Sequence, residues 1–207
     1  MILETVVVGD LGTNCYIVAC EKTKEALIID PGAEPDRIVR LVEKLGVKVV
    51  GILNTHGHAD HIGADEALRR KLDVPLMIHR EDAPLLHSPG RNLSLWGGFD
   101  LRISPAERLL EEDDEIKVGE LTFKVVHTPG HTPGGICLVG HGKAFCGDTL
   151  FAGSVGRTDL PGGSWGQLID SIKKKIMTLA DETEVFPGHG PSTTVGEERS
   201  SNPFVAD

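Results

Sequence analysis

The chain has 207 residues, 40% of them apolar and 25% charged, with a net charge of −10. That is the composition of a globular domain large enough to bury its own core without disulfide or metal staples. The acidic balance argues against a phosphate-backbone partner, so nucleic acid is not expected as a ligand. No apolar run approaches the ~20 residues needed to span a bilayer, and the start Met1-Ile2-Leu3-Glu4-Thr5 lacks a basic and then apolar leader. The four cysteines, Cys15, Cys20, Cys137 and Cys146, form no C-x-x-C pair. They read as reduced, buried thiols of a cytoplasmic protein with no membrane partner.

Short strands come first: Glu4–Gly9, Cys15–Cys20 and Ala26–Asp30, separated by turn residues such as Asp10-Leu11-Gly12. Residues 34–45 show helical spacing, with Ile38, Leu41, Val42 and Leu45 on one face and Gly46 just past the end. A buried strand is expected over 49–54, a helix over 62–72 directly after His61, and a strand over 74–79. Residues 80–118 lack periodicity and are broken by Pro84, Pro89, Gly90, Gly97, Gly98 and Pro105. They read as an irregular connection, with a lid, pocket wall or subunit contact as the alternative. The acidic run 111–115 is expected to be a solvated turn. Strands follow over 121–126, 136–139 and 143–147, then a helix over 165–179 striped by Leu168, Ile169, Ile172 and Ile176. A last strand is expected over 184–186 and a partly helical tail from Ser192. Strands followed by helix in each half suggest two sheets layered between outer helices.

Chemistry concentrates in His56-Gly57-His58-Ala59-Asp60-His61, three imidazoles and a carboxylate in six positions. This is more than one tetrahedral ion can use from one loop, so it reads as half of a two-metal site. His56 and His58 are two apart and face one way in an extended loop, whereas Asp60 and His61 open the next helix and can aim at a neighbouring position. Three other strand-like runs end in ligands: His131 after Thr128-Pro129-Gly130, Asp148 after Gly147, and His189 within Pro187-Gly188-His189-Gly190. Ligands at the same ends of several strands converge on one edge. Two ions in such sites lie ~3.5–4 Å apart and share a carboxylate. Asp148, alone between two His-bearing loops, is the candidate bridge. His127 reads as an outer or structural residue; His79, His87 and His141 have no partner pattern, and Cys146 reads as a core thiol.

The set His56, His58, Asp60, His61, His131, Asp148 and His189, with Asp30 in Ile28-Ile29-Asp30-Pro31-Gly32, resembles the metal motif of the metallo-β-lactamase superfamily over nearly the whole chain. The resemblance implies an α/β, four-layer αββα sandwich formed by residues 1–207 as one domain. It implies two divalent ions, zinc first, with iron or manganese compatible. The first would take His56, His58 and His131, and the second Asp60, His61 and His189, with Asp148 bridging. Asp30 would lie beneath, orienting a ligand by hydrogen bond. Asp148 separates the chain from true β-lactamases, many of which carry Cys there. Gly147-Asp148-Thr149-Leu150-Phe151, Gly156-Arg157-Thr158-Asp159 and the Pro187–Pro191 segment resemble short bacterial glyoxalase II, the hydroxyacylglutathione hydrolases. That implies hydrolysis of a small thioester, S-D-lactoylglutathione in the family, by a metal-bridging hydroxide with Asp60 as ligand and orienting catalytic residue.

The C-terminal helical domain that grips glutathione in long forms is not expected here. Arg157 stands near a basic residue that meets the glutathione glycine carboxylate in those forms, while Asp159 and Leu160 replace their tyrosine; a salt bridge to Asp159 is the alternative for Arg157. The competing enzyme reading is a persulfide dioxygenase, one iron held by His56 or His58 with His131 and Asp148. A non-catalytic binding module and a nuclease fit less well, the first because no ligand is lost and the second because of the charge. Oligomeric state is not legible.

Overall fold

Alternation within fully buried strands builds the molecule from its middle outward. In the computed structural model, which describes residues 1–205, β1 (Ile2–Val8), β2 (Thr13–Ala19), β3 (Glu25–Ile29), β4 (Lys48–Leu53), β5 (Leu76–His79) and β6 (Arg108–Leu110) form one sheet in that order. The β1–β2–β3 pairs are antiparallel and the β3–β4–β5–β6 pairs parallel. Side chains of β2 and β3 alternate between two cores. Cys15, Ile17, Ala19, Ala26 and Ile28 face one way, toward Ile38, Val42 and Leu68. Tyr16, Val18, Leu27 and Ile29 face the other. A strand buried on both faces reads as a continuous apolar run rather than an alternating one, which is why these strands stood out.

The second sheet contains β7 (Glu115–Val118), β8 (Leu121–His127), β9 (Ile136–Gly140) and β10 (Lys143–Gly147). After a small hairpin, β11 (Leu150–Phe151) and β12 (Ser154–Val155), it adds β13 (Glu184–Pro187) and β14 (Thr193–Thr194). Only the β10–β13 pair in it is parallel. Phe123, Val125, Ile136, Leu138 and Phe145 meet the first sheet in the central core. Tyr16 packs edge-on against Phe145 and Phe186 there, at ring separations of 5.3 and 5.7 Å. Cys137, Ala144, Cys146 and Val185 point outward to the opposite helical layer.

The helices α1 (Pro35–Leu45), α2 (Ala59–Ile62) and α3 (Asp65–Leu72) belong to the first sheet's side of the molecule. On the other side α4 (Trp165–Ser171) continues into a π-helical turn, Ile172–Ile176, and α5 (Val195–Ser201) follows. The order of layers is helix, sheet, sheet, helix, as expected. No helix among the described residues is long and apolar enough to cross a membrane, and all four cysteines are free and buried.

Three expectations change in detail. Residues 80–118 contain two strands, β6 and β7, one at the edge of each sheet. The helix expected over 62–72 is two pieces, because the chain breaks at Gly63 and Ala64 before α3 begins. The β11–β12 hairpin had no periodic signal, with two residues per strand.

Candidate metal centre

The C-terminal ends of β3, β4, β8, β10 and β13 lie at one edge of the sandwich and deliver Asp30, the 56–61 loop, His131, Asp148 and His189 to one place. Two of the groups formed there match the expected ligand sets. His56, His58 and His131 present ligand atoms within 4.8 Å of one another, and so do Asp60, His61 and His189. Within the first group His58 Nδ1 is 3.0 Å from His131 Nε2. Within the second, His61 Nε2 is 3.3 Å from His189 Nε2 and 3.5 Å from Asp60 Oδ2, and His189 Nε2 is 3.2 Å from Asp60 Oδ2. Asp148 reaches both: Oδ2 is 3.5 Å from His131 Nε2, while Oδ1 is 3.5 Å from His61 Nε2 and 3.7 Å from His189 Nε2.

These separations match a metal ligand set. A tetrahedral ion with bonds of ~2.0–2.1 Å to nitrogen needs donors roughly 3.3 Å apart. The outer nitrogens of four rings are already held, which aims the other nitrogen of each ring inward. His131 Nδ1 donates to Arg157 O at 2.8 Å, and His189 Nδ1 to Leu11 O at 3.1 Å. His61 Nδ1 sits 3.0 Å from Asp30 Oδ2, and His56 Nδ1 3.2 Å from Thr55 Oγ1. The inward His56 Nε2 is buried and has no hydrogen-bond partner, and the same is true of Asp148 Oδ1. A buried polar atom left bare is unfavourable by about 1–3 kcal/mol. Two of them at one edge fit a centre that is completed by cations.

Electrostatics divide the groups. Burial, and then the neighbouring imidazoles, hold His56 well below the ordinary histidine range. Burial and His131 push His58 down to about 3. The second group moves the other way. Burial opposes the charged form of His61, but Asp60, Asp148 and Asp30 outweigh it and raise the ring to about 10. Burial likewise opposes ionisation of Asp60, yet the adjacent His61 and His189 hold its carboxyl well below the usual range.

Asp30 lies behind both groups, and its carboxylate also comes within 4.8 Å of ligand atoms of His56 and His61. Its backbone is left-handed, φ 51°. Its oxygens accept from Thr55 N at 2.7 Å, Thr55 Oγ1 at 2.6 Å and the His61 ring. Arg157 contributes its carbonyl to His131, while its guanidinium makes a two-pronged pair with Asp159 at 2.8 Å on each arm. Cys146 borders the floor beside Asp148 and Thr149. A hydrogen bond with Cys137, and then burial, keep it a thiol, unsuited to ligation. His79 and His127 stack on each other, 4.0 Å apart, outside both groups; His127 Nε2 donates to Pro133 O, and His141 accepts from Thr122 N.

Several supporting residues carry no motif signal. Thr13 Oγ1 donates to Asp60 Oδ2 at 3.4 Å. Asn14 holds the His189 loop, its amide donating to Pro187 O and Gly190 O and its backbone N to Gly188 O. Tyr16 OH donates to Pro187 O at 2.6 Å. Gly188 must lack a side chain, since a Cβ there would sit 2.2 Å from Asp148 Oδ1 and 2.6 Å from His61 Cε1.

A sandwich of two sheets with histidine and carboxylate loops at one edge defines a metal-binding α/β class, and comparison with known proteins places it. Residues 8–189 match the metallo-beta-lactamase superfamily model, and the chain belongs to that superfamily. It is 37% identical to the hydroxyacylglutathione hydrolase GloC of Haemophilus influenzae, over 99% of this chain and 98% of that one. The crystal structure of BLEG-1 B3 metallo-beta-lactamase is 37% identical with a TM-score of 0.95, covering 100% of both chains. TTHA1623 in a di-iron-bound form is 39% identical with a TM-score of 0.86, covering 98% of this chain and 100% of that one. The chain is therefore a metallo-beta-lactamase-fold member of a largely hydrolytic superfamily, with a histidine and aspartate cluster suited to metal.

Proposed function

We propose that the protein hydrolyses a small thioester, S-D-lactoylglutathione first among candidates, at a centre of two divalent ions. The observation that carries this is Asp148, with one oxygen toward each ligand group. In this reading His56, His58 and His131 hold one ion, Asp60, His61 and His189 the other, and Asp148 joins them. Such a pair, when bound, supplies Lewis acidity and water deprotonated near neutral pH.

The chain's own residues do the positioning. Asp60, fixed between Thr13 Oγ1 and His189, accepts a hydrogen bond and aims the attacking water. The rings of His61, His131 and His189 are locked from behind by Asp30 and by backbone carbonyls, so little reorganisation accompanies the reaction. Attack forms the acyl carbon–oxygen bond and breaks the carbon–sulfur bond. The departing thiol has an ordinary pKa of ~8.5, so it leaves without a strong general acid. The Haemophilus relative's name supports glutathione as the carrier. Arg157, exposed at the rim beyond His131, is the candidate contact for a substrate carboxylate, in exchange for Asp159. The di-iron neighbour makes iron a candidate beside zinc and manganese.

One preparation decides among the readings: metal content, S-D-lactoylglutathione hydrolysis, β-lactam hydrolysis and oxygen uptake with glutathione persulfide. Two ions per chain with thioester turnover is the expected result. The BLEG-1 name makes a β-lactam the direct competitor, and preferential β-lactam turnover would overturn the thioester assignment. One iron per chain with oxygen uptake would replace it by the dioxygenase reading.

A further inference from the structure

Asp82 is fully buried, in the turn that follows β5. It belongs to the 80–118 segment, to which the sequence assigned no chemistry. Its Oδ2 accepts from Gly57 N at 2.9 Å and from Thr132 Oγ1 at 2.7 Å, and its Oδ1 from Gly134 N at 2.6 Å. Gly57 lies between His56 and His58, and Thr132 follows His131. One carboxylate thus ties together the two loops that carry the first ligand group. The approach is close enough that a Cβ on Gly134 would lie 2.4 Å from Asp82 N. The second group is held by other hands: Asp30 on His61, Thr13 on Asp60, Asn14 on the His189 loop.

We infer that Asp82 is a positioning residue for one half of the centre, setting His56 and His58 in register with His131 by gripping the backbone of both loops. Its carboxylate hydrogen-bonds to none of the ligand rings, and those of His56 and His131 are fixed separately through Thr55 and Arg157 O. It governs where the loops stand, not how the rings turn. Three charge-assisted hydrogen bonds to one buried carboxylate are strong and directional. Outer partners of this kind change metal affinity by roughly 10–100-fold when removed. The loss should therefore fall on one ion and spare the other.

The inference rests on the two-ion reading, and the test separates them. Metal-free protein is titrated with cobalt(II) and followed by visible absorption, with His189→Ala identifying the step that belongs to His56, His58 and His131. Thermal unfolding of the metal-free forms is recorded in parallel. Asp82→Asn keeps the shape, but its Nδ2 cannot accept from an N–H. That variant should weaken the first step at least about tenfold and the second by less than about threefold. Thr132→Val, which removes one donor and leaves the other two, should weaken the same step several-fold with little change in metal-free unfolding. It decides the matter if Asp82→Asn does not fold. Equal weakening of both steps, or no weakening of the first, overturns the inference. A single cobalt step in the wild type overturns the two-ion reading instead.

Discussion

The two ligand groups lie side by side, yet the protein treats them oppositely. His56, His58 and His131 are 2–4% exposed and consist of imidazole alone. Burial strips two of these rings of their protons. In the second group the side chains of Asp60 and His189 are 24% and 27% exposed, and carboxylates retain a proton on His61. The first group is a dry cradle in which His56 and His58 are held neutral. The second is an anionic, wetter one whose histidine must be deprotonated before it can ligate. Two sites built from similar residues need not load or fail together.

The largest effect should come from the residue most specific to the second group. Asp60→Ala removes a candidate ligand and the acceptor that faces Thr13 and His189. Hydrolysis should fall by at least about 100-fold with one ion retained, more than is typical for loss of an outer partner. Full activity at normal metal content would break the comparison, because the two groups would then be redundant.

pH should separate the groups next. His61 in the metal-free fold is raised to about 10 against an ordinary histidine value of ~6.5. Metal binding there displaces a proton throughout the neutral range, so affinity should rise about tenfold per pH unit below pH 10. In the first group His58 is lowered to about 3 and burial holds His56 low, so these two rings have no proton to lose above about pH 6.5 and add no such slope to the affinity. The same shifts set the stability of the metal-free protein. A raised folded pKa means that the His61 contribution is fully present below about pH 6.5 and lost as pH rises through about 10. A depressed one means that His58 opposes folding increasingly as pH falls from about 6.5 toward 3. Metal titrations at pH 6.5, 7.5 and 8.5, with parallel unfolding curves, check both signs. Equal slopes for the two ions would refute the division.

The residues that converge on the candidate centre were legible because their spacing is local: six positions for four of them, and a glycine or proline beside each of the rest. The layered fold was legible for a related reason, as strands buried on both faces leave unbroken apolar runs. What escaped detection acts through backbone groups or long separations. Asn14 reaches Pro187 and Gly190 across 173 and 176 positions, and Asp82 reaches Thr132 and Gly134 across 50 and 52. Neither forms a pattern with its partners. β6 was missed because Arg108-Leu109-Leu110 is three residues long and becomes a strand only by pairing with β5. Pairing energy at a sheet edge, rather than local propensity, decided it.

Asn14→Ala tests the second group's support from outside. It removes two hydrogen bonds, one to the buried Pro187 carbonyl and one to the more exposed Gly190 carbonyl, a loss of about 1–3 kcal/mol of stability. It should weaken the ion at Asp60, His61 and His189 while sparing the other, the mirror image of Asp82→Asn. Unfolding curves and the two-step cobalt titration read both effects. Loss of the first ion instead would mean that the loops communicate through Asp148.

Arg157 should give the smallest effect and the sharpest separation of backbone from side chain. Its carbonyl holds His131, a bond that Arg157→Ala preserves, so neither ion should be lost. Its guanidinium is 62% exposed and already paired with Asp159, so a substrate carboxylate must displace an existing partner, and the net gain is modest. Arg157→Ala should therefore raise KM for a glutathione thioester by up to about tenfold and leave kcat nearly unchanged, the signature of binding energy used equally in ground and transition states. Asp159→Asn should move KM the other way by freeing the guanidinium. If both variants match the wild type, Arg157 serves the centre through its backbone alone, and the thiol carrier is recognised elsewhere on the rim.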